Sequence, residues 1–450
     1  MHSVNQKTNS IFSRVIKNTS IITAGRVVNA LCSFAYIPWT TESLGLTAYG
    51  QLILLTAFIA FSANVTSFQA GLTLIQYGSD SFHKKDYHSF YKILAFCIRL
   101  ECISGLIGVF VCWFSITFLG QFFFKGHEKL YSLATYFMFV IPFINATWQA
   151  GVIQLLDKYR LLTLLHLSGT TVRTLGCFIG YEYNFNLLYF LSLWCIVQLT
   201  EFFLFTGSVI YLIEHKLQTR FSWKELFFPS IHVKGIWNFT FFATLNNLIY
   251  TSAGQTVTLI VSSIVSAADL AIFSVAWQII SAATRPFTFM LAPLYPEFIK
   301  LRDNKNWHTL RSTIFKLLYL IGAISITLPI FSYFLGPYIL SFMLSHQAPS
   351  GSRTLLNIIS VSFVCSIAAG FLSPCFTIFN DLKYIAKTKT IVFTLHLPLL
   401  VWLTHVFGIH GAAIAETLEW LGILILYIYK VPRLIKRSSI SESKHLQLIT

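Results

Sequence analysis

Apolar runs of membrane-crossing length recur along this chain, each separated from the next by a short polar or basic segment. A helix needs about 20 apolar residues to cross the hydrocarbon of a bilayer. Twelve stretches satisfy that requirement: 18–38, 47–68, 92–119, 131–153, 161–180, 187–213, 237–262, 268–293, 312–344, 354–379, 388–407 and 411–430. The pattern predicts an all-α polytopic membrane protein. The longest inner connection, 214–236, separates six spans from six, so residues 1–213 read as one lobe, 214–236 as a linker, 237–430 as a second lobe and 431–450 as a basic tail.

Polar positions inside the spans are not scattered. In the first span Thr19, Thr23, Arg26, Asn29, Ser33 and Tyr36 recur at steps of three and four, which places them on one helical face. Arg26 is costly there, at ~2.5–3.5 kcal/mol on insertion scales, and such residues face a cavity or a partner rather than lipid. It lies eight residues inside Asn18, about 12 Å at the helical rise, which makes snorkelling to the surface a strained alternative. The seventh span repeats the stripe with Thr240, Thr244, Asn247, Thr251, Gln255, Thr258 and Ser262, and the eighth adds Gln278, Ser281, Arg285 and Thr288. Hydroxyls and amides in membrane helices also serve as interhelical hydrogen bonds, worth about 0.6 kcal/mol each. A polar face along the whole first helix of each lobe, with arginines nearby, fits water better.

Arg26 and Arg285 match in depth, since Arg285 lies eight residues before Pro293. Two guanidiniums at one level make a site for an anion, phosphate above all. Arg173 shares a stripe with His166, Gly169, Thr170 and Gly180, whereas Arg99 is close enough to the inner end of its span to snorkel. The acids singled out inside spans are Glu201, Glu416 and Glu419. Folding spans five and six about residues 183–184 brings Glu201 level with His166. Glu416 and Glu419, three residues apart, share a face where they can bind sodium, share a proton, or look into an outward vestibule. The chain has no G-x-x-x-x-G-K-[ST] nucleotide loop, so movement of a cargo would draw on a proton or sodium gradient and need no cofactor.

An internal repeat supports the division into lobes. Lys85-Asp86-Tyr87-His88-Ser89-Phe90 after the second span corresponds to Lys305-Asn306-Trp307-His308-Thr309-Leu310 after the eighth, at an offset of 220. Asp157-Lys158-Tyr159 after the fourth span corresponds to Asp381-Leu382-Lys383-Tyr384 after the tenth. Two matches at equivalent loops argue for a duplicated six-helix unit, its copies related by an axis along the membrane normal.

Charge then sets the orientation. The net charge is +15, yet the bases punctuate the gaps between apolar runs instead of forming one patch, so nucleic acid is not the implied partner. With the amino terminus inside, 25 of the 32 Lys and Arg fall on the cytoplasmic side; the outer loops hold only Lys125, Lys129 and Arg353. This asymmetry predicts both termini in the cytoplasm. Mean hydropathy of +0.67 belongs to a membrane protein. The amino-terminal apolar run is too long for a leader and lacks a small-residue cleavage site, so it reads as a retained helix. All eight cysteines lie in apolar spans without C-x-x-C spacing, which implies neither disulfides nor zinc.

Two sixes of spans, a polar first helix ending in Pro38, the following Leu44-Gly45-Leu46-Thr47-Ala48-Tyr49-Gly50, short outer loops and Asp/Lys/Tyr inner loops together resemble a known group. They are similar to the multidrug/oligosaccharidyl-lipid/polysaccharide exporter superfamily, and within it to bacterial O-antigen flippases of the Wzx type. The resemblance implies a protein of the bacterial inner membrane serving lipopolysaccharide biosynthesis. It would receive an undecaprenyl-diphosphate-linked oligosaccharide in a cationic cavity and work beside membrane lipids, a polysaccharide polymerase and a chain-length regulator. Arg26, Arg285, Arg173, Asn29, Asn247, Gln255 and Gln278 are then the candidate cargo-binding residues, and Glu201, Glu416 and Glu419 the candidate ion-coupling ones. A multidrug exporter of the same superfamily is the nearest alternative, although a cation-handling cavity favours carboxylates. A lipid-linked oligosaccharide polymerase or glycosyltransferase is the alternative from another class; such enzymes carry a large outer loop, and the longest here is 120–130.

Topology is directly testable. Paired reporter fusions at Thr219 and Leu446 should both read cytoplasmic and one at Gln347 periplasmic. An outward reading at Thr219 would break the six-plus-six scheme.

Overall fold

A computed structural model of the chain describes residues 2–124, 128–145, 147–217, 235–289, 307–345, 351–379 and 381–447. The architecture is all-α and polytopic, as the apolar pattern predicts. In chain order the helices are α1 (His2–Thr66), α2 (Ala70–His83), α3 (Tyr87–Phe124), α4 (Glu128–Phe137), α5 (Ile141–Ile144), α6 (Trp148–Leu155), α7 (Tyr159–Glu182), α8 (Leu187–Leu217), α9 (Ile236–Ile264) and α10 (Ala267–Phe289). They continue with α11 (Trp307–Ser325), α12 (Thr327–Phe334), α13 (Gly336–Met343), α14 (Ser352–Ile378) and α15 (Leu382–Gln447). The chain forms two compact units, Met1–Leu259 and Ile260–Thr450.

Two of these helices are far too long to cross once. α1 has 65 residues, about 97 Å at the helical rise against ~30 Å of hydrocarbon. It is divided at Gly45, whose φ of 70° and ψ of 166° lie outside the helical region. Gly408, with φ 59° and ψ −138°, divides α15 in the same way. Only a residue without Cβ takes these angles cheaply, so each glycine turns one continuous helix into a hairpin. The turns fall between predicted spans 18–38 and 47–68 and between 388–407 and 411–430. Exposed Phe110, Phe114, Phe118 and Phe122 line one face of α3 at steps of four, the surface that meets lipid.

Elsewhere the predicted spans are broken rather than continuous. Span 131–153 consists of α4, a short 3-10 turn at Met138–Val140, α5 and α6. Span 312–344 is divided among α11, α12 and α13; the later part of 268–293 lies outside the described residues. A break in hydrocarbon frees backbone groups that no water can satisfy. The chain supplies them from other helices. Glu101 on α3, 4% exposed, accepts hydrogen bonds from the Thr147 N–H at 2.8 Å and its hydroxyl at 2.5 Å. Thr147 in turn accepts the Gly71 N–H at 3.1 Å. Thr244 of α9 accepts the Gln69 N–H, also at 3.1 Å. Thr73 and Thr240 place their hydroxyls 3.0 Å apart. Thr240 and Thr244, read above as part of a wet stripe, therefore act at least in part as contacts to α2.

The repeated loop motifs are helix punctuation. Lys85 takes a left-handed φ of 61° and ends α2. Asp86 accepts the Ser89 N–H and so caps α3; hydrogen bonds from the Ser89 side chain and backbone hold its carboxyl below the usual range. Asp157 has a φ of 55° just before α7 begins at Tyr159. Asp381 stands before α15, 3.7 Å from Lys430, whose ammonium sits 4.8 Å over the Tyr384 ring. Lys305 and Asn306 of the matching motif lie outside the described residues. In the first unit the buried core joins α2, α3, α6, α7, α8 and the start of α9 around Leu74, Phe90, Ile153 and Val209. In the second it joins α11, α14 and α15 around Phe376 and Tyr427.

Glu101→Ala leaves the Thr147 N–H unsatisfied in an apolar interior, a cost of about 1–3 kcal/mol. Glu101→Gln retains an acceptor and should cost less. Thermal unfolding in detergent measures both; a wild-type melting temperature for the alanine variant would refute the capping role.

Candidate functional site

α1 and α7 pack closely because Gly25 offers no Cβ where Thr163 approaches. Beside this contact lies a cavity of about 470 Å³, within the usual range for ligand sites. α1 contributes Ile22, Gly25, Arg26 and Asn29; α6 contributes Ala150 and Gln154. α7 adds Tyr159, Leu162, Thr163, His166, Leu167, Thr170 and Arg173, and α8 adds Glu201. The α7 residues recur every three or four positions, so one face of that helix forms a wall. From Tyr159 to Arg173 the wall rises about 21 Å.

α7 is not among the helices apolar enough to cross a membrane by composition. The polar face that lines the cavity contributes to this, since its tyrosine, threonines, histidine and arginine lower the mean hydropathy of the helix.

The site's electrostatics come from two guanidiniums and one carboxylate. Arg26 is close enough for its charge to act on His166, and Arg173 acts on Glu201. The Arg173 guanidinium lies 5.8 Å from the centre of the Tyr36 ring, near the outer limit of a cation–π contact. Glu201 packs its carboxylate directly onto Gly169, where any side chain would collide with it. With His166 neutral the formal charge of the lining is positive. Such a wall can hold an anion by bidentate hydrogen bonds from arginine and by the Asn29 and Gln154 amides.

Of the residues named from the sequence, Arg26, Asn29, Arg173 and Glu201 meet here. Asn247, Gln255 and Gln278 are not part of this lining; Asn247 lies on α9 with another contact, Gln255 is half-buried further along it, and Gln278 is exposed on α10. Arg285 belongs to α10, and its side chain lies outside the described residues. Glu416 and Glu419 are on α15 in the second unit, where they meet His396. Sequence reasoning missed Gln154 and Tyr159, which stand at a helix end where no stripe is visible. It also passed over Glu101, a further acid within a span.

No family model and no curated protein matches the sequence. Similarity is visible in the fold. An inward-facing multidrug resistance MATE family transporter of the MOP superfamily superposes with a TM-score of 0.71 at 14% identity, covering 91% of this chain and 95% of its own. The lipid II flippase MurJ in an inward closed conformation gives 0.67 at 14% identity, covering 96% and 92%. A MATE protein in complex with MaL6 gives 0.61 at 14% identity, covering 94% and 96%. The chain thus has the fold of these transporters over nearly its whole length.

If the cavity holds water, cysteine placed at Asn29 or Thr170 in a cysteine-free background should react with a membrane-impermeant maleimide. Cysteine at lipid-facing Phe118 should not. Equal protection at all three positions would show a dry cavity.

Proposed function

We propose that the protein is a flippase that carries an undecaprenyl-diphosphate-linked oligosaccharide, an O-antigen repeat unit, from the cytoplasmic to the periplasmic leaflet of the bacterial inner membrane. The observation that carries this reading is the pairing of Arg26 with Arg173 in one polar cavity of a membrane fold. Two guanidiniums suit the two phosphates of a lipid diphosphate, and neutral amides and hydroxyls suit sugars. The MurJ flippase, whose fold this chain has, is named for a lipid-linked cargo. Alternating access would expose the site to each leaflet in turn, driven by a proton or sodium gradient.

A multidrug exporter is the second reading, and the superposition on MATE proteins favours it. The cavity charge argues against a cationic drug. Two bases and one acid repel a cation, whereas an anionic headgroup gains from the same field. The polymerase or glycosyltransferase reading has no support from the fold.

Arg26→Ala or Arg173→Ala should abolish surface polysaccharide while the protein remains in the membrane at normal abundance. Arg→Lys at either position should retain part of the activity, since charge survives without the bidentate fork. Arg285→Ala tests the third candidate in the same assay. Normal polysaccharide with Ala at both 26 and 173, or drug resistance lost in its place, would overturn the assignment.

A further inference from the structure

The second unit holds a cluster of ionisable groups that the cavity does not use. His396 on the first limb of α15 faces Glu416 and Glu419 on its second limb, across the hairpin that turns at Gly408. The imidazole is 2% exposed and Glu416 5%. Nδ1 lies 3.3 Å from the Ala415 carbonyl oxygen and 3.4 Å from Glu419 Oε2. Nε2 lies 3.7 Å from Glu416 Oε1 and has no hydrogen-bond partner among the described residues.

The carbonyl selects the resting tautomer. A carbonyl oxygen only accepts, so Nδ1 carries the proton and Nε2 presents a bare lone pair. That lone pair lies 3.7 Å from a carboxylate oxygen, and two acceptors stand near each other in an apolar interior. A cation between them resolves the conflict. Metal ligation requires all donors about 2.0–2.2 Å from one ion, hence about 3.4 Å from each other in a tetrahedral site. Here the donor atoms spread to within 4.8 Å, and the ring turns opposite nitrogens to the two acids. That bridging arrangement suits a proton.

We propose that Glu416, His396 and Glu419 form a proton-binding relay in which the imidazole passes a proton between the two carboxylates. A proton on Glu416 Oε1 moves to Nε2 as the Nδ1 proton moves to Glu419 Oε2. One O–H and one N–H bond break and one of each form. Charge within the cluster is unchanged by the transfer, and the ring ends in the other tautomer. Lys389, on the same limb as His396, is the charge from outside the cluster that acts on it, through Glu419. Among the described side chains of the packed elements, α14 carries Arg353, Cys365 and Cys375, α11 carries Lys316 and Tyr319, and α10 carries Asp269, and none of these is among the charges acting on the three residues. The relay depends on the transport reading only for what the proton's movement drives.

Infrared difference spectra of the full-length protein in lipid nanodiscs, recorded between alkaline and acid pH, read the protonated carboxyl band directly. Glu416→Gln and Glu419→Gln keep the side-chain shape; each should lose part of the pH-dependent band, and the double variant nearly all the share that either removes. His396→Gln should keep both carboxyls but shift the pH at which the band grows. A band unchanged in both single glutamate variants would overturn the proposal. So would zinc or manganese, added alone, binding stoichiometrically to the wild type and not to His396→Gln. A normal band in a protein that moves no lipid-linked cargo would refute the flippase reading and leave the relay standing.

Discussion

Hydrocarbon offers no hydrogen bonds, so every break in a membrane helix must find its partners inside the protein. The first unit is organised by one such break. Glu101 accepts the Thr147 N–H and hydroxyl, and Thr147 accepts the Gly71 N–H, so one carboxylate settles the interrupted backbone of the fourth span and the start of α2. α6 begins immediately after this contact, and it carries Ala150 and Gln154 into the cavity. The capping acid therefore sets where the cavity's polar wall can stand. α2 is fixed at its other side by Thr244 and Thr240 of α9.

The same constraint governs charge. An ion in a membrane interior needs water, a counter-ion or a proton. Arg26 and Arg173 meet it by lining a polar cavity, with Glu201 as a nearby opposite charge. His396, Glu416 and Glu419 meet it by facing one another. One group of ionisable residues thus lines a polar cavity and is net positive, and the other is buried and net acidic. The first suits a soluble anionic headgroup, the second a small cation that can shed its water.

Legibility in the sequence followed the reach of local patterns. The stripe of α1 was visible because Arg26 and Asn29 are three apart on one helix. So was the stripe joining His166, Thr170 and Arg173. Glu201 was reached by folding two adjacent spans about their turn. The same operation about Gly408 sets His396 level with Glu416 and Glu419, so that cluster was available to a reading that gave a lone histidine more weight. Glu101 was not available. Its partner Thr147 lies 46 residues away, on a helix end created by a break that hydropathy does not register. The breaks in spans four and nine were hidden for the same reason: apolar composition continues through them, and the deciding hydrogen bonds come from elsewhere. For α9 the stripe was visible but its use was not, since a threonine facing water and one facing α2 have the same period.

What distinguishes one cargo from another lies in side chains rather than in the fold. A MATE transporter and the MurJ flippase superpose on this chain with TM-scores of 0.71 and 0.67 at the same 14% identity, a difference too small to choose between drugs and lipid-linked sugars. A fold that hosts both leaves the choice to the site. The sign of the cavity charge is the discriminating quantity, because an organic cation and a diphosphate ester respond to it in opposite directions. Each guanidinium removed should weaken an anion's hold and relax the barrier to a cation.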